Sequence, residues 1–245
     1  MLRYGMSGGG EGAFIGAVHR MAARLDGEWQ LVCGTFSSSP DRNQRSGAAC
    51  GLGPDRVYDS FEAMLEGELQ LPADQRMEAL VIATPNHLHR PMAVGALNLV
   101  EAIDISRAAE RSSGIYGVTY TYSGYPMVEE ARHRVTTGAI GAVRQVSVEY
   151  RQGWLSAPID AEGQKQAEWR TDPSRAGLGG ALGDIGTHAF HLAEHVSGLR
   201  VNELCADLTA HVAGRRLDDD VSILMRLAGG ARGTLTASQI MAGEE

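Results

Sequence analysis

The sequence predicts an α/β protein. An N-terminal Rossmann-type, doubly wound parallel sheet is followed by a C-terminal α+β domain with a largely antiparallel sheet. Three observations carry this. Apolar strands alternate with helical segments up to residue 122, the order that builds a parallel sheet covered on both faces. A run of glycines, "GGGEGAFIG", stands between the first strand and the first helix, where a dinucleotide's pyrophosphate meets backbone N–H groups. Beyond that point longer alternating strands surround a single helix rich in histidine. The expected domains are therefore residues 1–122 and 123–245.

The elements follow in order. "LRYGMSG" is a strand, and "AVHRMAARL" is periodic enough for a helix. "WQLVCGTF" is a second strand, ended by the polar turn "SSSPD". "RVYDSFEAML" gives a short third strand and a helix whose N-cap is Ser60. "MEALVIATPNHLHRPMAVGAL" is a continuous apolar strand, a loop and a helix. "EAIDISRAAERS" reads as helix and "GIYGVTYTYSGYP" as strand. In the second half, "PMVEEARHRVTTGAIG" is a helix with Pro126 in its first turn, closed by Gly138. "AVRQVSVEYRQGW", "RVNELCADLTAHV", "DDVSILMRLAG" and "GARGTLTASQI" alternate as strands, the last two joined by a hairpin-type "AGGAR" turn.

Composition excludes several classes. Net charge is −8 over 245 residues, which disfavours nucleic acid or an anionic membrane as the main partner. No apolar run approaches a membrane span and no secretory h-region opens the chain. Three widely spaced cysteines, Cys33, Cys50 and Cys205, fit reduced thiols in a cytoplasmic protein. Lys165 is the only lysine.

The glycine loop satisfies the dinucleotide fingerprint in two registers. Gly8-x-Gly10-x-x-Ala13 fits directly, while Gly10-x-Gly12 with Gly16 needs one extra residue. Gly8, Gly10 and Gly12, with Phe14 and Ile15 after them, are the candidate cofactor residues here. At the end of the second strand an acid would bind the ribose 2′-hydroxyl of NAD. The sequence instead offers Ser37, Ser38 and, further on, Arg42. Hydroxyls with an arginine suit a 2′-phosphate, which tilts the reading from NAD slightly toward NADP.

"GDIGTHAFHLAEH" places Asp184, His188, His191 and His195 at offsets 0, 4, 7 and 11. On an α-helix they fall within about 60° of one another. Proton transfer, a metal site and plain packing are all open on this pattern. No HExxH or CxxC pair accompanies it, so no metal is expected, and the Asp and Thr before the first His fit a capped helix start. His195 reads as structural. His87 and His89 in "NHLH" could pair on a metal but more readily border a cofactor. Trp154 and Trp169 could stack on a sugar ring or fill a core, and Tyr120, Tyr122 and Tyr125 read as packing, with Tyr125 a possible ligand contact.

Taken together, the glycine loop, "VIATPNHLH", "GAIGAVRQVSVEY", "EWRTDPSRAGLGGALGDIGTH" and "GARGTLTASQ" occur in an order that resembles the glucose–fructose oxidoreductase / inositol dehydrogenase / rhizopine catabolism (Gfo/Idh/MocA) family. The resemblance covers nearly the whole chain. It implies NAD or NADP in the N-terminal domain and a homodimer or homotetramer built through the C-terminal sheet. It implies hydride transfer between a small polyol or sugar-like hydroxyl and nicotinamide. Asp184 and His188 match the family's D-x-x-x-H pair, with His188 as general base and Asp184 orienting it or binding a substrate hydroxyl. Thr84, Pro85, Asn86 and His89 match the loop bordering the nicotinamide ribose. Lys165, Trp169 and Arg170 match a segment reaching toward substrate, and His191 completes the pocket wall.

One departure stands out. The family's Glu/Asp-Lys-Pro motif, whose lysine steadies the reacting oxygen, has no counterpart. Two helical segments abut at Asn98/Leu99 where a strand and loop are expected. About 15 residues are therefore expected to be missing there, and the chain stops in mid-sheet by the family's pattern. An intact mass near 26.1 kDa for the natural protein would rule this out. If the sequence is complete, Lys165 is the only substitute and little activity is expected. Two alternatives follow: a dinucleotide-binding sensor or scaffold without turnover, and a metal-dependent hydrolase using Asp184, His188 and His191.

Overall fold

The computed structural model describes residues 1–85, 88–89, 92 and 117–242. Asn86, His87, the Asn98/Leu99 junction and the helix expected from "EAIDISRAAERS" lie outside the described residues. The chain divides into two compact units, Met1–Tyr116 and Gly117–Glu245.

The N-terminal unit holds a parallel sheet of order β2-β1-β3, with β1 at Leu2–Gly8, β2 at Trp29–Thr35 and β3 at Ala79–Ala83. Helix α1, Phe14–Arg24, connects β1 to β2. Helices α2, Pro40–Ala49, and α3, Phe61–Gln70, lie between β2 and β3. Ser60 caps α3, its side chain accepting from the Ala63 N–H, as its hydroxyl and position predict. Tyr4, Met6, Phe36 and Val57 form one buried cluster, and Cys33, Phe61 and Met64 another.

Two expectations for this unit are corrected. The third strand near Val57 is reduced to one parallel bridge between Val57 and Gly34. The "SSSPD" turn opens a helix, α2, that apolar periodicity did not reveal. The buried residues of α2 are Asn43, Ser46 and Gly47. Asn43 accepts from the Phe36 N–H at 2.7 Å and donates to the Tyr58 carbonyl at 2.8 Å, so hydrogen bonds fasten this helix where apolar side chains usually would.

The C-terminal unit begins with irregular chain and a 3₁₀ turn at Thr121–Gly124, not the expected strand. The alternating tyrosines pack on histidine rings instead of forming a ladder, and Ser123 Oγ donates to the Tyr120 carbonyl at 2.8 Å, a local bond that competes with strand pairing. Helix α4, Pro126–Thr136, starts on its proline. Strand β4, Gln145–Arg151, helix α5, Lys165–Arg170, and one helical turn, α6, Pro173–Ala176, come next. A π-helical turn, Leu182–Gly186, leads into α7, Thr187–Ser197. Strands β5, Val201–Thr209, β6, Asp220–Leu227, and β7, Arg232–Ser238, complete a sheet of order β4-β7-β6-β5. Its β5/β6 and β6/β7 pairs are antiparallel, while β4 runs parallel to β7.

Period-2 alternation fixes which face is which. Val221, Ile223, Met225 and Leu227 of β6 are buried against Ile185 and Ala189 of the helical segment. Leu224 on β6 and Leu204 and Leu208 on β5 remain exposed. The histidine-bearing helix is thus anchored on one sheet face, and the other face is open.

Candidate functional site

In the N-terminal unit the glycine loop is shaped by close backbone approach. Gly8, Gly9 and Gly12 have positive φ. A Cβ on Gly16 of α1 would stand 2.3 Å from both Cα and O of Gly9, so helix and loop meet through two residues without side chains. That contact is the helix-packing role of the third fingerprint glycine. It fits the longer register ending at Gly16, and it adds Gly9 to the residues found by sequence. Gly10 is also confined: a Cβ there would lie 2.8 Å from the Phe36 carbonyl. The Glu11 N–H donates to Ser46 Oγ at 3.0 Å, and Arg20 Nη1 to the Gly9 carbonyl at 2.7 Å. Among the described residues helix α1 has no side-chain cap and no acid in its first turn, so the positive end of its dipole is not offset there. Phe14 and Ile15 there are exposed.

At the end of β2, Ser37 Oγ accepts from the Ser39 N–H at 3.2 Å. Ser38 and Arg42 are exposed, at the uncapped start of α2. After β3, His89 Nε2 lies 2.5 Å from the Thr84 carbonyl, closing the loop that contains Pro85. Asn86 of this loop is outside the described residues.

In the C-terminal unit, residues expected on one stripe separate into two groups. The π turn breaks the α-helical phase at Asp184, and π turns often occur at functional sites. Asp184 Oδ2 accepts from Arg170 Nε at 2.9 Å and from Gln239 Nε2 at 2.7 Å. Neither contact involves a histidine. Arg170 also donates from Nη1 to Gln166 Oε1 at 2.8 Å, with its guanidinium carbon 4.2 Å from the Trp169 ring centroid. The expected cap is corrected as well: Asp218 supplies it, accepting from the Gly180 and Leu182 N–H groups at 2.8 and 2.7 Å.

His188 and His191 form the second group, around Tyr120. Tyr120 stacks on His191 at 4.2 Å and stands edge-on to His188 at 5.4 Å. Tyr122 is edge-on to His188 at 5.5 Å, its hydroxyl 2.5 Å from that of Tyr150. His188 Nδ1 is buried and has no hydrogen-bond partner among the described residues. Desolvation pushes the His188 pKa below its ordinary 6.5, partly offset by the charge of Asp184. His191 is also lowered, by desolvation and then by its histidine neighbours, with Glu194 opposing. Both rings are thereby held toward the neutral, proton-accepting form.

The other candidates are placed as follows. His195 Nε2 is 2.8 Å from Glu129 Oε1, a link to α4. Lys165 is exposed at the start of α5 and has no partner among the described residues. No group of three or more His, Cys, Asp or Glu among the described residues could hold a metal ion. Gln239, 2% exposed at the end of β7, was missed. A glutamine ending an alternating strand gives no sign of what it will bond.

Residues 128–245 match the GFO/IDH/MocA C-terminal domain model. An oxidoreductase structure from Sinorhizobium meliloti is 40% identical, with TM-score 0.84, over 100% of this chain and 67% of that one. The chain belongs to the GFO/IDH/MocA family. Another member, an inositol dehydrogenase homologue from Azotobacter vinelandii, is 32% identical with TM-score 0.91, over 99% of this chain and 66% of its own, in a complex with NAD+. The same protein was also solved with NADH and myo-inositol. An uncharacterised oxidoreductase of Bacillus subtilis is 30% identical over 259 residues, 99% of this chain and 65% of that protein. The chain thus spans about two thirds of the length of these family members. The Bacillus alignment is longer than the 245-residue chain, so it contains gaps opposite it.

Proposed function

We propose that the protein is an NAD(P)-dependent dehydrogenase that oxidises a hydroxyl of a small polyol, sugar-like or cyclitol substrate, with His188 as general base. The observation that carries the reading is the half-buried imidazole of His188. Desolvation lowers its pKa below the ordinary value, and it lies four residues after Asp184 in the helical segment of a GFO/IDH/MocA C-terminal domain.

The glycine loop fits a dinucleotide. Gly8, Gly10 and Gly12 leave the backbone approachable, and the uncapped start of α1, with Phe14 and Ile15, offers N–H donors to a pyrophosphate. Ser37, Ser38 and Arg42 would meet the ribose 2′ position, and Thr84, Pro85, Asn86 and His89 the nicotinamide ribose. The chemistry a bound nicotinamide supplies is acceptance of hydride from the carbinol carbon. The protein's own task is the proton. Neutral His188 accepts it from the substrate hydroxyl as the carbon–hydrogen bond breaks, and the charge that forms on the imidazole is favoured by Asp184. His191 and Trp169 would line the substrate side, with Lys165 and Arg170 close in sequence to that wall.

The related structures hold NAD+ or NADH, whereas exposed Arg42 and Ser38 support NADP here. The Bacillus relative carries residues that this chain lacks within the aligned stretch, in keeping with the missing segment expected at Asn98/Leu99. Exposed Leu204, Leu208 and Leu224 on the open sheet face support pairing into a homodimer or homotetramer. The free Cys33, Cys50 and Cys205 suit a reducing, cytoplasmic compartment. No helix among the described residues is long and apolar enough to cross a membrane.

The test is direct. The full-length protein should quench or shift nicotinamide fluorescence on titration with NADH or NADPH, and should reduce NAD+ or NADP+ when a cyclic polyol is added. Binding without turnover across a broad polyol panel would favour the sensor reading. Activity lost to a chelator would favour the metal one.

A further inference from the structure

We propose that Arg170 and Gln239 are positioning residues that hold one oxygen of Asp184 and turn the other outward as a fixed acceptor, selecting substrates with a second hydroxyl adjacent to the one that reacts. The proposal rests on the dehydrogenase reading above.

Both hydrogen bonds to Asp184 converge on Oδ2, from Arg170 Nε at 2.9 Å and from Gln239 Nε2 at 2.7 Å. A carboxylate only accepts, so the amide must present its nitrogen. Two donors from different directions fix the plane of the carboxylate as well as its position. Oδ1 has no partner among the described residues, and the side chain keeps 23% of its surface exposed. The carboxylate is therefore fastened by one oxygen and open at the other.

The two arms are themselves rigid. The Arg170 guanidinium carbon lies 4.2 and 5.7 Å from the ring centroids of Trp169 and Trp154, and Nη1 donates to Gln166. Gln239 is buried, its N–H bonded to the Asp219 carbonyl and its carbonyl to the Leu155 N–H. Arg170, expected from sequence to reach toward substrate, thus has Nε and Nη1 occupied inside the protein. Asp184 and His188 lie four residues apart in one continuous helical segment, and the carboxylate is near enough for its charge to act on the imidazole. A hydroxyl delivered to the imidazole brings the hydroxyl on the neighbouring carbon toward Oδ1, which can accept its proton in a hydrogen bond. A substrate lacking that hydroxyl leaves Oδ1 unpaired, the situation that disfavours deoxy analogues.

The experiment compares wild type, Gln239→Met, Asp184→Asn, Gln239→Glu and the exchange variant Asp184→Asn/Gln239→Glu in the full-length protein. Thermal unfolding and steady-state rates are measured with a cyclic polyol and its analogue lacking one adjacent hydroxyl. Wild type should prefer the polyol by about tenfold or more in kcat/KM. In Gln239→Met that preference should fall to within about threefold, with KM for the polyol up about tenfold and KM for the cofactor unchanged. Gln239→Glu should lower Tm more than Gln239→Met, through repulsion of Asp184, and the exchange variant should recover it. If Gln239→Met lowers Tm but keeps the full polyol preference, Gln239 is merely structural and the proposal is overturned. It is overturned equally if the exchange variant recovers nothing. If wild type turns over no polyol while the exchange variant recovers Tm, the dehydrogenase reading fails and the hold on Asp184 stands.

Discussion

The glycine loop of the N-terminal unit and the Asp184/His188 region of the C-terminal unit are built from different materials. The first is backbone: Gly9 and Gly16 meet so closely that a Cβ on Gly16 would come within 2.3 Å of Gly9, and the helix start carries no side-chain cap. The second is side chain: Asp184 is bonded by Arg170 and Gln239, and His188 is flanked by Tyr120 and Tyr122. A backbone site depends on shape and is indifferent to protonation. A side-chain site can be tuned through burial and charge, and that is where the lowered pKa values of His188 and His191 occur.

The sharpest way to break this contrast is His188→Ala. We expect kcat to fall by about 10²–10⁴-fold while NADH affinity, measured by fluorescence titration, stays within about twofold of wild type. Equal damage to both would mean that the two regions do not divide the work as argued. Gly16→Val tests the other side. Its branched side chain cannot fit against Gly9, and an overpacking cost of about 1–3 kcal/mol should weaken cofactor binding tenfold or more in calorimetric titration. A valine that binds NADH normally would show that this contact does not shape the loop.

Smaller effects sharpen the picture. Arg42→Ala should weaken NADPH by about fivefold and leave NADH unaffected; equal dissociation constants for the two cofactors in wild type would remove the lean to NADP. Tyr120→Leu removes the 4.2 Å stack on His191. It should cost about 1 kcal/mol in denaturant unfolding, with cofactor affinity unchanged.

What the sequence made legible follows the same division. The strand, glycine loop and helix at Leu2–Arg24 were legible in the sequence, because glycines between a strand and a helix have a narrow set of physical uses. The close packing of Gly16 on Gly9, by contrast, is a meeting that the spacing alone did not reveal. Alternation in "DVSILMRL" foretold which side of β6 is buried. Helix α2 escaped because its buried residues are Asn43, Ser46 and Gly47, and "TYTYSG" misled because aromatic alternation also suits rings packed on a neighbouring helix. The partners of Asp184 come from α5 and from the end of β7, 14 and 55 residues away in the chain, and no local pattern encodes such a meeting. The π turn at Leu182–Gly186 likewise defeats a phase computed for an α-helix.

The central claim, that the His188 imidazole collects the substrate proton, is tested most directly by the pH dependence of kcat/KM, which reports the free enzyme's base, in wild type and in His188→Gln. Because its pKa is lowered from 6.5 in the folded protein, the neutral base already predominates at pH 6.5, and the wild-type kcat/KM should fall as pH drops through a value below that. His188→Gln should show a low rate without that acid limb. An unchanged acid limb in the variant, or a rate close to wild type, would contradict the account.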